Sequence, residues 1–276
     1  TRLEVTATPV QVRLGREFGY TADALVLSRP LRSEDLAFAV RGQQSFTVLG
    51  TRIAVQTEAT VGEVVRRADG TIAAFRVGAT GLTAQGPNRE PVQIKRLDVR
   101  ASSPEGTAGV PDGATLAVRA EAVAAPGRAL LGDEIALLDA NLRFHGTLAA
   151  ATRSAVADWQ RRDGHISVAE SSLRWGPLDA RAIQGTLRVD GALRPAGVLD
   201  AALADIPGLA AALASSAWIS ADQAATLLRR VAPAQGDARR YRLSFLDGWA
   251  AFNEIGQDQV APIPLWRLPS LPVLSR

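Results

Sequence analysis

The residues that most often carry chemistry are sparse in this chain. Its 276 residues include two histidines, His145 and His165, and no cysteine. A metal site needs a cluster of histidine, cysteine or carboxylate ligands, and two histidines in separate strand-like regions do not supply one. The glycine-rich phosphate loops and the Gly-x-Ser-x-Gly nucleophile elbow are also absent. The sequence therefore predicts no metal ligand, no cofactor-binding residue and no catalytic residue.

Carboxylates occur as adjacent pairs, Glu34/Asp35 and Asp133/Glu134. Neighbouring residues of a strand point to opposite faces of the sheet, so an adjacent pair cannot act together on one substrate bond. A hydrolase with catalytic residues distant in sequence remains an alternative.

Composition narrows the class of partner. The net charge is +3, and Lys95 is the only lysine among 31 basic residues, which are otherwise arginine and scattered. Aromatic residues make up 5% of the chain, so no stacking platform for nucleic acid is visible. We expect no nucleic-acid partner. No apolar run is long enough for a transmembrane helix, and because the chain starts at Thr1 without a methionine we expect a missing N-terminal signal peptide or anchor.

The elements that must position any site are mostly strands. Apolar and polar residues alternate through most of the chain, and Asp69-Gly70 and Asp247-Gly248 separate strand-like runs as in tight hairpins. The pattern predicts a mainly β protein with a few helices (α+β). Long antiparallel strands would form a strongly curved sheet, or sheets, enclosing a groove or a sandwich, with the helices in the C-terminal half.

Three helical segments are expected. One begins near Thr152 or Ser154 and carries Trp159 on its apolar side, one runs over residues 199–218 with an interruption near Pro207-Gly208, and one begins at Ser220 with a capping box. Residues 1–276 are expected to form one β-rich domain. The Ser-, Gly- and Pro-rich loop 102–113 marks a subdivision into an N-terminal sheet, 1–101, and a C-terminal sheet with helices, 114–276.

Long alternating strands leave one continuous apolar face, which a ligand covers if helices do not. The N-terminal strands carry the residues that we expect to line such a groove: Val40, Phe46, Val48, Ile53, Val55, Ile72, Phe75 and Val77.

The segment DWQRRDGHISVAESSLRWGPLDARAIQGTLRVDGALRPAGVLDAAL resembles the core signature of an uncharacterised family of alphaproteobacterial envelope proteins, DUF2125. The matching positions are Trp159, Gly164, Trp175-Gly176-Pro177-Leu178, Gly185-Thr186-Leu187, Asp190 and Pro195-x-Gly197. The resemblance implies a periplasmic protein anchored to the inner membrane by one span. More remotely, the strand pattern is similar to that of AsmA-like proteins, whose long β-sheet grooves are associated with lipid movement. No catalytic residue is implied.

These expectations converge on a non-catalytic periplasmic protein that binds a lipid or another hydrophobic ligand in an apolar β-sheet groove. A structural or protein-interaction module of the cell envelope, using sheet edges or the proline-rich tail 261–276, is the alternative. An unrecognised hydrolase is the second alternative.

Overall fold

A computed structural model describes residues 2–14, 18–30, 35–48, 51–87, 89–104, 109–124, 131–150, 152–192, 194–230, 239–255 and 263–267. The strands before the first helix are β1 (Arg2–Ala7), β2 (Val10–Leu14), β3 (Phe18–Pro30), β4 (Leu36–Val48), β5 (Thr51–Gln56), β6 (Ala59–Arg66), β7 (Ile72–Gln85), β8 (Val92–Ser102), β9 (Thr115–Ala124) and β10 (Glu134–His145). The later elements are α1 (Arg153–Arg161), β11 (His165–Trp175), β12 (Leu178–Val189), β13 (Pro195–Ala204), α2 (Ile206–Ser215), α3 (Ala221–Arg230), β14 (Arg239–Leu246), β15 (Trp249–Glu254) and β16 (Ile263–Arg267).

The described strands form one antiparallel sheet in which most strands pair with their neighbours in sequence. The short strands β5 and β6 together occupy a single position between β4 and β7. The hairpins at Asp69-Gly70 and Asp247-Gly248 are confirmed, as β6–β7 and β14–β15. The mainly β, antiparallel fold with helices late in the chain is therefore confirmed. Strands β8 and β9 pair directly across the 102–113 loop, so segments 1–101 and 114–276 contribute to the same sheet.

A line of irregular backbone crosses the sheet in the middle of its N-terminal strands. Gly42 on β4, Gly81 on β7 and Ala122 on β9 have φ values of 78°, 56° and 50°. The break between β5 and β6 at Thr57-Glu58 lies on the same line, as the flanking register shows. We call Gly42, Thr57-Glu58, Gly81 and Ala122 the kink line. Next to Gly42 the register between β3 and β4 shifts by one residue, as in a bulge, which bends a strand and increases its twist.

The kink line shifts the alternation by one residue without reversing the face. On β8, Val92 and Ile94 pair with Ala84 and Leu82, and Leu97 and Val99 pair with Ala79 and Val77. The apolar positions of this strand are thus two, then three, then two residues apart. The neighbouring strands deviate at the same place, so apolar residues on both sides of the line remain next to one another.

Helices begin where capping residues precede them. Of the two residues expected near the start of α1, Thr152 is the cap and accepts a hydrogen bond from the Ala155 amide. At the start of α3, Ser220 and Gln223 form the predicted capping box, with distances of 3.1 Å and 2.7 Å. None of the helices within the described ranges is long and apolar enough to cross a membrane.

The predicted helix over residues 199–218 is wrong over residues 199–204. Residues 199–204 belong to strand β13, which pairs with β12 and β14, and α2 begins only after Asp205. Asp205 accepts from the Gly208 amide, and Pro207 lies in the first turn, where its missing N–H has no consequence. The predicted interruption is therefore the start of the helix.

A cluster of buried apolar residues lies under α2 and α3. Leu209, Leu213 and Leu227 of these helices pack on Tyr241 and Phe252, whose rings stack with centroids 4.9 Å apart. This core anchors the C-terminal end of the sheet, where the helices supply the second layer that burial of apolar side chains requires.

Candidate functional site

The register places the apolar side chains of successive strands on one side of the sheet. One row runs from Val77 through Val99 and Val118 to Ala140. The next runs from Ala79 through Leu97 and Ala120 to Leu138. The continuous surface, here called the apolar face, comprises Leu25, Leu27, Phe38, Val40, Val64, Phe75, Val77, Ala79, Leu97, Val99, Leu116, Val118, Ala120, Leu138, Ala140, Leu142, Ile166, Val168, Leu187, Leu199 and Leu243.

Most large side chains of the apolar face are only half-buried. Phe75 exposes 39% of its surface, and Phe46, on the continuation of this face beyond the kink line, exposes 41%. Smaller or central residues such as Val40, Ala79 and Val168 are buried. Adjacent side chains on one face of a sheet cover one another laterally, which accounts for this partial burial.

Helices α2 and α3 cover the C-terminal end of the apolar face. Ala180, Leu203 and Tyr241 belong to the helix core, and the register puts them on the same side as Leu199 and Leu243. Helix α2 packs on β12, and helix α3 packs on β16. Along β3–β10 no helix of the described residues packs against the face to a comparable extent.

The residues predicted to line a groove fall largely on this surface. Val40, Phe75 and Val77 belong to the apolar face, and Phe46, Ile53 and Val55 continue it beyond the kink line. Val48 pairs through its backbone with Thr51 at the end of β4. Ile72 is 54% exposed and lies beyond a register shift at the start of β7. Whether these residues touch a ligand stays a prediction.

The sequence interpretation missed the larger part of the surface, on β8–β11. Leu97, Val99, Leu116, Val118 and Leu138 were not among the predicted groove residues. Their signal was present in the sequence as apolar spacings of two, then three, then two residues. Strict alternation does not recognise that spacing, because one extra residue at the kink line separates the two alternating parts of each strand.

The opposite face of β7–β10 is polar and charged, and we call it the polar face. Asp98 contacts Arg96 at 2.9 Å and Arg76 at 3.6 Å, and Arg119 contacts Glu121 and Asp139 at 2.9 Å and 3.2 Å. Burial would raise the pKa of Asp98, but hydrogen bonds and charge from Arg96 and Arg76 outweigh it and hold that pKa below its usual value. The carboxylate is therefore ionised at neutral pH.

The two histidines meet although the sequence separates them. They are cross-strand partners at the ends of β10 and β11, and their rings stack with centroids 4.3 Å apart. His145 Nε2 lies 2.8 Å from Ser167 Oγ, and His165 Nδ1 lies 2.9 Å from the Asp163 carbonyl oxygen. Among the described residues no group of three or more histidines and carboxylates is placed to hold a metal ion.

Trp159 is fixed beside this pair. Its indole N–H donates to the carbonyls of His145 and Gly146 at 2.8 Å and 3.0 Å, and the residue is 3% exposed. Trp159, expected on the apolar side of its helix, is thus a buried residue. Of the proline-rich tail 261–276, only residues 263–267 are described, and they form the edge strand β16. The predicted pair Glu34/Asp35 is described only at Asp35, and Asp133 and Glu134 are both exposed.

Comparison with known proteins adds one match. The family model described as "Uncharacterized protein conserved in bacteria (DUF2125)" matches residues 1–264, a range that includes every strand contributing to the apolar face. Searches of curated proteins and of solved structures gave no match.

Proposed function

We propose that this chain, which belongs to the DUF2125 family of uncharacterised bacterial proteins, binds a lipid or another apolar ligand on the apolar face of its sheet and catalyses no reaction. The observation that carries the proposal is the continuity of this face from β3 to β14 while α2 and α3 cover only one end. Contiguous apolar surface left uncovered in a monomer marks an interaction site.

The dimensions favour an elongated ligand. From β3 to β10 the sheet has six inter-strand spacings, which at about 4.8 Å each span about 29 Å. An extended acyl chain fills about half of a bilayer core that is about 30 Å thick. The sheet is therefore wide enough for an acyl chain that lies across the strands. The partly exposed side chains of Phe75 and Phe46 are available to contact it.

The proposal includes a location. The resemblance over residues 159–213 supports a periplasmic protein held at the inner membrane by an N-terminal anchor. The remote similarity to AsmA-like proteins supports a lipid as the ligand, since a single sheet with a long apolar face is the architecture that this similarity implies.

Native mass spectrometry of the protein, purified without detergent delipidation, tests the function. The expected result is a set of mass adducts that disappear on denaturation and that organic extraction identifies as lipids. Protein without adducts that also acquires none from phosphatidylethanolamine–phosphatidylglycerol vesicles would contradict the proposal.

A further inference from the structure

The polar face contains a pair of like charges that the fold itself does not require. Arg76 on β7 and Arg100 on β8 are directly opposed cross-strand partners. Such partners have Cβ atoms roughly 5 Å apart, and like charges at that position destabilise a sheet. Asp98 lies 3.6 Å from Arg76, and Glu63 on β6 is the register partner of Arg76 on its other side, but Arg100 has no salt bridge to a carboxylate among the described residues. A local conflict of this kind is typical of functional positions.

The two arginines border a depression of about 500 Å³ on the polar face. Its lining carries four guanidinium groups, from Arg76, Arg96, Arg100 and Arg119, and three carboxylates, from Asp98, Glu121 and Asp139, a formal balance of +1. Ala117 lies opposite Arg100 on one side and Asn141 on the other. Its methyl group leaves the centre of the depression unfilled.

The three carboxylates that line the depression lie closest to Arg96 and Arg119. Asp98 lies closest to Arg96, while Glu121 and Asp139 both lie against Arg119. The long contact between Asp98 and Arg76 uses one of the five donors of that guanidinium. Arg76 and Arg100 thus line the depression with donors that are available to an oxyanion, and Asn141, whose amide lies 3.4 Å from Asp139, lines it as well.

We infer that Arg76 and Arg100 bind a phosphate group in this depression. Guanidinium groups bind phosphate oxygens through paired, charge-assisted hydrogen bonds, and an anion between two opposed arginines removes their repulsion. The ligand is a phosphate ester, either a small soluble one or the headgroup of a phospholipid. This site lies on the face opposite the proposed lipid-binding surface and is independent of it.

Isothermal titration of the whole chain with glycerol 3-phosphate tests the site, with chloride at matched ionic strength as the reference. Arg100→Gln should weaken binding about tenfold, the effect of losing one charge-assisted contact. The same substitution should leave the melting temperature without ligand unchanged or higher at low salt, because it removes the like-charge pair. The matched control is Arg181→Gln, whose guanidinium is paired with Asp179 outside the depression; it should retain wild-type binding.

A second titration with phosphatidylglycerol vesicles separates the two sources of phosphate. Binding of glycerol 3-phosphate that Arg100→Gln weakens supports a soluble ester, and binding of vesicles alone that the same variant weakens supports a headgroup. Equal binding by Arg100→Gln and Arg181→Gln would overturn the inference. A binding signal that chloride reproduces would overturn it as well. An acyl probe should bind the Arg100→Gln variant normally, which keeps this test separate from that of the lipid-binding surface.

Discussion

Truncation of Phe75 is expected to weaken ligand binding without unfolding the sheet. Phe75 keeps 39% of its surface exposed on the apolar face. An enclosed phenylalanine buries on the order of 200 Å², so about 80 Å² remains for a ligand to cover. At about 25 cal/mol per Å² this contact contributes about 2 kcal/mol, or about a 30-fold change in the dissociation constant. Phe75→Ala should therefore weaken binding by up to about 30-fold.

Fluorescence anisotropy with a fluorescent C16 fatty acid measures this effect. The matched control is Val65→Ala on the neighbouring strand β6, because Val65 is 37% exposed but its register partner Ala74 belongs to the polar face. The control should bind the probe as tightly as the wild type. Equal weakening in both variants, or none in either, would refute the assignment of binding to the apolar face.

Three further predictions concern the scaffold. Gly164→Ala should lower the melting temperature, since the added Cβ would lie 2.4 Å from the ring of Trp159, whereas Gly191→Ala, which faces open space, should not; equal melting of the two variants would contradict this packing. Ser220→Ala should cost about 1 kcal/mol in urea unfolding through the loss of the α3 cap, and an unchanged midpoint would argue against that cap. For Asp190, burial would raise the pKa, but hydrogen bonds from the amides and guanidinium around it hold the pKa below its usual value. Its stabilisation is thus present above about pH 4 and lost as pH falls through the lower folded-state pKa. Urea unfolding from pH 7 to pH 3 should show a weaker acid dependence in Asp190→Asn, and identical pH profiles would speak against it.

Local signals in the sequence were sufficient for most strands and turns. Asp69-Gly70 between two alternating runs predicts a hairpin because few residues adopt the turn it requires. Ser220 and Gln223 likewise predict a helix start from their spacing alone. These features depend on a few neighbouring residues, so no knowledge of the rest of the fold is needed to recognise them.

Strand β13 could not be recognised in the same way. Its residues LDAALA combine alanine, a strong helix former, with leucines four residues apart, a spacing that fits a helix as well as a strand. Pairing with β12 and β14 decides the outcome, and that pairing is a tertiary effect. The stacked pair His145 and His165 was missed for a related reason, because the connection that contains α1 separates the two strands and the register depends on the whole sheet.

The full extent of the apolar face could not be predicted from the sequence, because the kink line interrupts the alternation of its strands. Residues such as Leu97 and Leu138 follow a three-residue step, which strict alternation assigns to the wrong side. Only the coordinated deviation of neighbouring strands, at Gly81 and Ala122 among others, shows that the apolar side is preserved.

Photo-crosslinking in living cells tests the central claim most directly. A benzophenone amino acid is placed at Phe75 on the apolar face or at Val65 on the polar face, and the irradiated, purified protein is analysed for covalently attached lipid by mass spectrometry. Attachment at position 75 and none at position 65 is the predicted result. Lipid attached equally at both positions, or at neither, would contradict the claim that the apolar face holds the ligand.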